Sequence, residues 1–187
     1  MVLPSAYLPP ISWFASLRRG EPIFIEQYEN YPKQTLRNRC TIDSPNGPLH
    51  LSIPIDRSTF RGGHCLMKDV RISTHTDWQR QHWYALETSY YNSPFFEYLQ
   101  DDFRPFYERP WTFLIDFNEA LIHQCCELLD LHPSIQRTDT YQGITPSSHQ
   151  AIHTPYYQVF AHKHGFLPDL SIIDLLFNMG NESILLL

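Results

Sequence analysis

Glycine is scarce in this chain: 7 of 187 residues, against 15 prolines. No glycine-rich phosphate loop appears, and no nucleophile elbow, so the common phosphate-cradling and acyl-transfer motifs are absent. The prolines point to stiffened turns rather than flexible linkers. Positive charge is also short. Fourteen Lys and Arg face twenty Asp and Glu, a net charge of −6, which argues against an extended nucleic-acid surface. The four cysteines (Cys40, Cys65, Cys125 and Cys126) have no zinc-type spacing, and buried thiols in a reducing cytoplasm are expected. No uncharged run approaches the roughly 20 apolar residues a bilayer requires. No charged leader precedes an apolar core, so neither membrane insertion nor a signal peptide is expected.

What remains describes a globular α/β chain, 42% hydrophobic and 18% charged, read as one domain over residues 1–187. Residues 1–73 are sheet-rich and 74–187 helix-rich. "MVLPSAYLPPISWFASLRRG" reads as strand, turn and helix. Pro10 suits the first helical position, Ile11, Phe14 and Leu17 share a face, and Gly20 suits the stop. "PIFIEQY" follows as a buried strand, implying a right-handed crossover between parallel strands. "LRNRCTIDSPNGPLHLSIPI" reads as a hairpin turning at "SPNG", and "KDVRIS" as a further strand of one mixed sheet. Thr76 and Gln79 form a capping box ahead of the helix "WQRQHWYALETSYY". "SPFFEYLQDDFRPFY" and "PWTFLIDFNEALIHQCCELLDL" continue as helices, and "IQRTDTY" as a strand. Residues 142–155 have the composition of a mobile loop. "YYQVFAHK" and "LSIIDLLFNMG" close the chain as helices.

Four clusters could carry chemistry. Asp174 lies in the first turn of a helix apolar on most sides. With Ser171 and Asn178 it forms a narrow polar stripe, readable as capping and core satisfaction or as a site wall. In "YPKQTLRNRC", strand alternation puts Arg37 and Arg39 on one face about 7 Å apart, with Lys33 entering nearby. That trio suits phosphate or carboxylate, although a solvated face with acidic neighbours is the competing reading. Asn38 falls on the apolar face, where its amide needs partners. In the third cluster, His82 lies one turn from Trp78 and beside Trp83; a general base and a packed core histidine are both open. In the fourth, His149, His153, His162 and His164 could supply three zinc ligands, but the Pro/Ser-rich context and lack of a nearby acid favour no metal. No cofactor is implied. The "YLPP" turn occupies the place of a nucleotide-binding switch point, without the usual glycines.

Several ordered stretches together resemble the WbqC-like protein family, in a branch like that of Bacteroidetes: "AYLPPISWF", "YPKQTLRNRCTI", "SPNGPLHLSIPI", "KDVRIS", "WQRQHW", "SPFFEYL" and "GFLPDLSIIDLLFNMG". The positions that fit are Tyr7 and Pro9, Lys33, Asn38 and Arg39, Asn46 and Gly47, Lys68 and Asp69, Trp78 and His82, and Ser171, Asp174 and Leu175. Leu3–Pro4–Ser5 departs from the His-Gln-Pro or Met-Gln-Pro of many relatives. The resemblance implies a cytoplasmic role in surface-polysaccharide (O-antigen-like) synthesis, acting on a small anionic substrate such as a nucleotide sugar. His82 and Asp174 would be catalytic. Tyr7, Lys33, Arg37, Asn38, Arg39, Trp83, Ser171 and Asn178 would bind substrate. A non-catalytic partner of a biosynthetic complex and a zinc-dependent hydrolase are the alternatives. The sequence leaves the oligomeric state open.

Overall fold

The computed structural model describes residues 1–145 and 154–187. Strand β1 (Val2–Pro4) leads over a turn into helix α1 (Ile11–Ala15), which tightens into a 3-10 turn at Ser16–Arg19. Ile11, Trp13, Phe14 and Leu17 are buried, and Gly20, at φ 72°, releases the chain. Pro10 sits at the cap, one residue earlier than expected, and its carbonyl accepts the Trp13 and Phe14 amides. Strand β2 (Ile23–Glu26) pairs parallel with β1, as the crossover requires.

One mixed sheet was expected; there are three small ones. β1 and β2 are joined by β7 (Ile135–Arg137), all parallel, in the order β1-β2-β7. Among the described residues β1 is therefore an edge strand, with no second strand beside it to create a topological switch point at the "YLPP" turn. The hairpin forms its own antiparallel pair, β3 (Arg39–Ile42) with β4 (Leu49–Ser52). Its turn closes where predicted: the Gly47 amide donates to the Ser44 carbonyl, and Gly47 adopts φ 96°. β5 (Ile55–Asp56) and β6 (Arg71–Ile72) make the third pair. Lys68 and Asp69 lie ahead of β6 in a 3-10 turn, Met67–Asp69.

The helical half packs on these sheets. α2 (Trp78–Tyr90) buries Trp78, His82, Leu86, Ser89 and Tyr90. The Thr76–Gln79 box does not form. Asp77 is the cap residue, and the Gln79 amide donates instead to the Phe106 and Arg109 carbonyls, tying α2 to the end of α3 (Phe96–Glu108). α4 (Leu114–Leu128) follows, while α5 (Ala161–His164) is a single turn where a longer helix was expected. α6 (Ile172–Met179) is buried on nearly every side and passes into a 3-10 stretch, Gly180–Leu186. Burying its Ile and Leu side chains and Phe177 contributes roughly 1.5–3 kcal/mol each, before entropy. No helix among the described residues is long and apolar enough to cross a membrane.

Of the expected mobile loop, residues 142–145 carry the Gln142 and Gly143 amides, which donate to the Glu26 carboxylate. The remainder up to 153, with His149 and His153, lies outside the described residues.

Gly180 is required by space as well as by its φ of 55°, because an added Cβ would stand 2.5 Å from two Phe95 ring carbons. Gly180→Ala is expected to cost about 3 kcal/mol, combining left-handed strain with overpacking. Urea denaturation would measure it; a loss below about 0.5 kcal/mol would show that Phe95 moves aside freely.

Candidate functional site

The β1–α1 turn is the hub of the site. The Tyr7 amide donates to the Leu36 carbonyl, the Ile11 amide to Leu170, the Ile172 amide to Pro9 and the Ser171 amide to Thr41. The Ser171 hydroxyl donates to the Leu8 carbonyl at 2.8 Å. Three remote segments thus meet at Leu8–Pro10. The fit is strained. Leu8, Gln34 and Asp169 have φ of 39°, 55° and 52°, a conformation that costs non-glycine residues about 1 kcal/mol or more.

These three strained residues line one hollow of about 310 Å³, together with Thr41, His50 and Ser171. A second hollow, of about 230 Å³, shares Gln34 and Arg39 with it and adds Tyr31, Lys33, Asn38 and Arg57. Lys33, Arg39 and Arg57 make no salt bridge to a described carboxylate. Arg39 Nε donates to Ser52 Oγ at 2.9 Å. Tyr31 registers the positive field: burial pushes its pKa up to about 12 although Arg57, Arg37 and Arg39 all pull it down. Asn38 is buried; its Nδ2 donates to the Ile53 carbonyl, while Oδ1 has no hydrogen-bond partner. The groove therefore offers three cations beside a polar hollow. Such a lining suits a small anion carrying hydroxyl or amide donors.

Arg37 is placed differently. Residues 33–38 turn rather than extend, so Arg37 precedes β3 and its guanidinium makes a two-pronged bond to Glu29, at 2.9 and 2.8 Å. The expected parallel Arg37–Arg39 pair on one strand face does not exist, because the strand begins at Arg39.

His82 and Tyr7 lie inside the fold. The Tyr7 hydroxyl is 2.9 Å from His82 Nδ1 and 2.9 Å from the Tyr107 hydroxyl. Burial lowers the His82 pKa to about 4, against a small opposing effect of the Ser52 carbonyl. The imidazole is thus neutral near pH 7. It lines neither hollow, and its one link to a lining residue is to the backbone of Ser52. Trp83 stacks on Phe96 and faces the outer side of α2, away from the groove.

Asp174 is fully buried in another network. Its oxygens accept from the Tyr90 hydroxyl at 2.7 Å, the Tyr156 hydroxyl and Gln158 Nε2. The capping partnership with Ser171 is not made by its carboxylate; Ser171 caps through its own hydroxyl, which accepts from the Ile173 amide. Asn178 donates to the Asp174 carbonyl. Burial raises the Asp174 pKa to about 6, the donated hydrogen bonds pull it down, and nearby Asp43 adds to the rise. Asp43 is itself raised by burial, offset first by His164, whose Nε2 lies 3.1 Å away. Among the described residues no three His, Cys, Asp or Glu side chains are grouped to hold a metal ion.

Lys33, Asn38, Arg39 and Ser171 thus meet at the groove; Tyr7 and His82 lie beneath it, and Arg37, Trp83, Asp174 and Asn178 are engaged elsewhere. Sequence reasoning missed Arg57, His50, Asp169 and Asp43. His50 had a legible signal, since β4 places it opposite Thr41, whose hydroxyl is 2.9 Å from His50 Nδ1. It missed Glu26 as well, whose buried carboxylate accepts from Tyr28, Thr138, Gln142 and Gly143. Nothing in "IFIEQY" reports those partners.

Fold and site define an α/β domain with a basic groove where its crossover turn meets a hairpin and a buried C-terminal helix. The chain belongs to the WbqC-like protein family, whose model matches residues 5–151. That span holds the turn, the basic segment, Arg57, the hairpin and α2–α4, and ends before α6. The chain is 25% identical to "Uncharacterized protein Rv1507c" of Mycobacterium tuberculosis, over 97% of this chain and 94% of that protein. No solved structure matches it significantly.

Asp174 and His82 oppose one another below neutral pH. Asp174, raised from 3.8 to about 6, stabilises the fold below the unfolded value and loses that contribution as pH rises through 6. His82, lowered from 6.5 to about 4, stabilises above the unfolded value and loses its contribution as pH falls toward 4. Removing the aspartate exposes the histidine's effect. Asp174→Asn is expected to lose more stability than wild type between pH 7 and pH 4.5, measured by urea denaturation at both. Parallel losses in the two proteins would mean that Asp174 does not take up its proton in this range.

Proposed function

We propose that the groove binds a nucleotide-linked sugar, and that the chain is a cytoplasmic transferase or modifying enzyme of surface-polysaccharide (O-antigen-like) synthesis. The observation that carries this reading is the convergence of Lys33, Arg39 and Arg57 on one hollow without carboxylate partners. Cations held together repel one another, and a diphosphate relieves that repulsion while accepting their hydrogen bonds. The adjoining hollow, with Thr41, His50 and Ser171, receives the sugar. Because His82 and Asp174 line neither hollow, they act as positioning residues: His82 through Tyr7 and the Ser52 carbonyl, Asp174 by holding Tyr90 and Tyr156. His50 is the imidazole with access to the groove and therefore the better candidate for proton transfer.

The competing reading, a non-catalytic partner in a biosynthetic complex, draws on the exposure of Tyr84, Tyr91 and Tyr98. Thermal shift with a panel of uridine-, guanosine- and thymidine-diphosphate sugars separates the two. At least one is expected to raise the melting temperature of wild type. Arg39→Ala or Arg57→Ala should weaken its binding roughly 10- to 100-fold, the loss of one charge-assisted contact. Equal shifts in wild type and Arg39→Ala would remove the basic groove from the argument. No shift with any member would favour the partner reading.

A further inference from the structure

Along the outer side of α2, Asp77, Arg80, Tyr84, Glu87 and Tyr91 follow one another at alternating intervals of three and four residues, and all are exposed. This is the spacing of a seam between two helices. Tyr84 and Tyr91 are 67% and 72% exposed, unusually open for large rings. Together with Gln81 and the flank of Trp83, the stripe from Asp77 to Glu87 borders an open hollow of about 500 Å³. Among the described residues Arg80 and Glu87 make no ion pair within 4 Å. Arg104, a cation that feels the charge of Glu87, is already bonded to Glu108 at 2.7 Å.

The order of charges identifies the partner. Reading along the helix, a cation precedes the central tyrosine and an anion follows it. Laid antiparallel against its own copy about a two-fold axis through Tyr84, the stripe meets itself in complementary register. Arg80 then faces Glu87 of the second copy, the same contact recurs on the other side of the axis, and the two Tyr84 rings meet at the centre. Tyrosine and arginine are the side chains that such interface cores favour. We propose that this face of α2 is the interface of a homodimer, built by antiparallel α2 helices and closed by two reciprocal Arg80–Glu87 ion pairs. The proposal is independent of the groove reading, because neither hollow of the groove includes these residues.

Sedimentation velocity on the full chain, at roughly 10–100 μM, tests it. Wild type is expected to sediment as a dimer. Arg80→Glu and Glu87→Arg, each placing like charges across the axis, should weaken association at least 10-fold, and the double variant should restore it. Tyr84→Asp should give a monomer. All three positions altered are exposed, so circular dichroism and melting temperature should match the wild-type monomer unit. A wild type that stays monomeric at 100 μM, single variants that dimerise as well as wild type, or a double variant no better than the singles would each overturn the proposal.

Discussion

The groove depends on how the backbone of Leu8–Ile11 is held. Four hydrogen bonds, to or from Leu36, Leu170, Ser171 and Ile172, converge on Tyr7–Ile11, and a fifth ties Ser171 to Thr41 of the hairpin. They over-determine the chain path and so sustain Leu8 in a left-handed conformation that an isolated leucine would leave. The same bonds bring the N-terminal crossover, the basic segment and the start of α6 together, although more than 150 residues of chain separate the first from the last. Without this convergence Arg39 and Ser171 would not share a cavity wall.

Charge is managed by separation. Two of the buried acids are matched with neutral donors: Glu26 with three backbone amides and a threonine hydroxyl, Asp174 with two tyrosines and a glutamine. Burial of an ionised carboxylate is costly without such donors, and each set supplies several. Arg37 is neutralised by Glu29 at the edge of the groove. Lys33, Arg39 and Arg57 are left without such partners, which concentrates positive potential where the strained backbone also gathers. An anion entering there meets charges that need not first be detached from protein carboxylates.

Much of the local architecture was legible before the coordinates. The "SPNG" turn, the β1–α1–β2 crossover, the three long helices and the nearly all-round burial of α6 follow from turn chemistry and from apolar periodicity. These are short-range properties, decided within a few residues by sterics and by which face must leave water. The errors share a cause. Arg37 was placed on a strand because alternation continued through it, but its bond to Glu29 and the turn at residues 33–38 took precedence. Gln79 was read as a capping partner, and the nearby carbonyls of α3 took its amide instead. Asp174 was correctly singled out as an unusual buried acid, yet nothing near it in sequence named Tyr90.

Residue order alone shows where the chain turns, which faces are apolar, and that a lysine, an asparagine and an arginine cluster within the "YPKQTLRNRC" segment. Only the tertiary structure decided which charges are neutralised and which remain available. It paired Arg37 with Glu29, withdrew His82 and Asp174 into separate interior networks, and added Arg57 and His50 to the groove. The reason is physical. Periodicity specifies the direction in which a side chain points, whereas its partner is set by packing between segments far apart in the chain, and it is the partner that fixes charge state and accessibility.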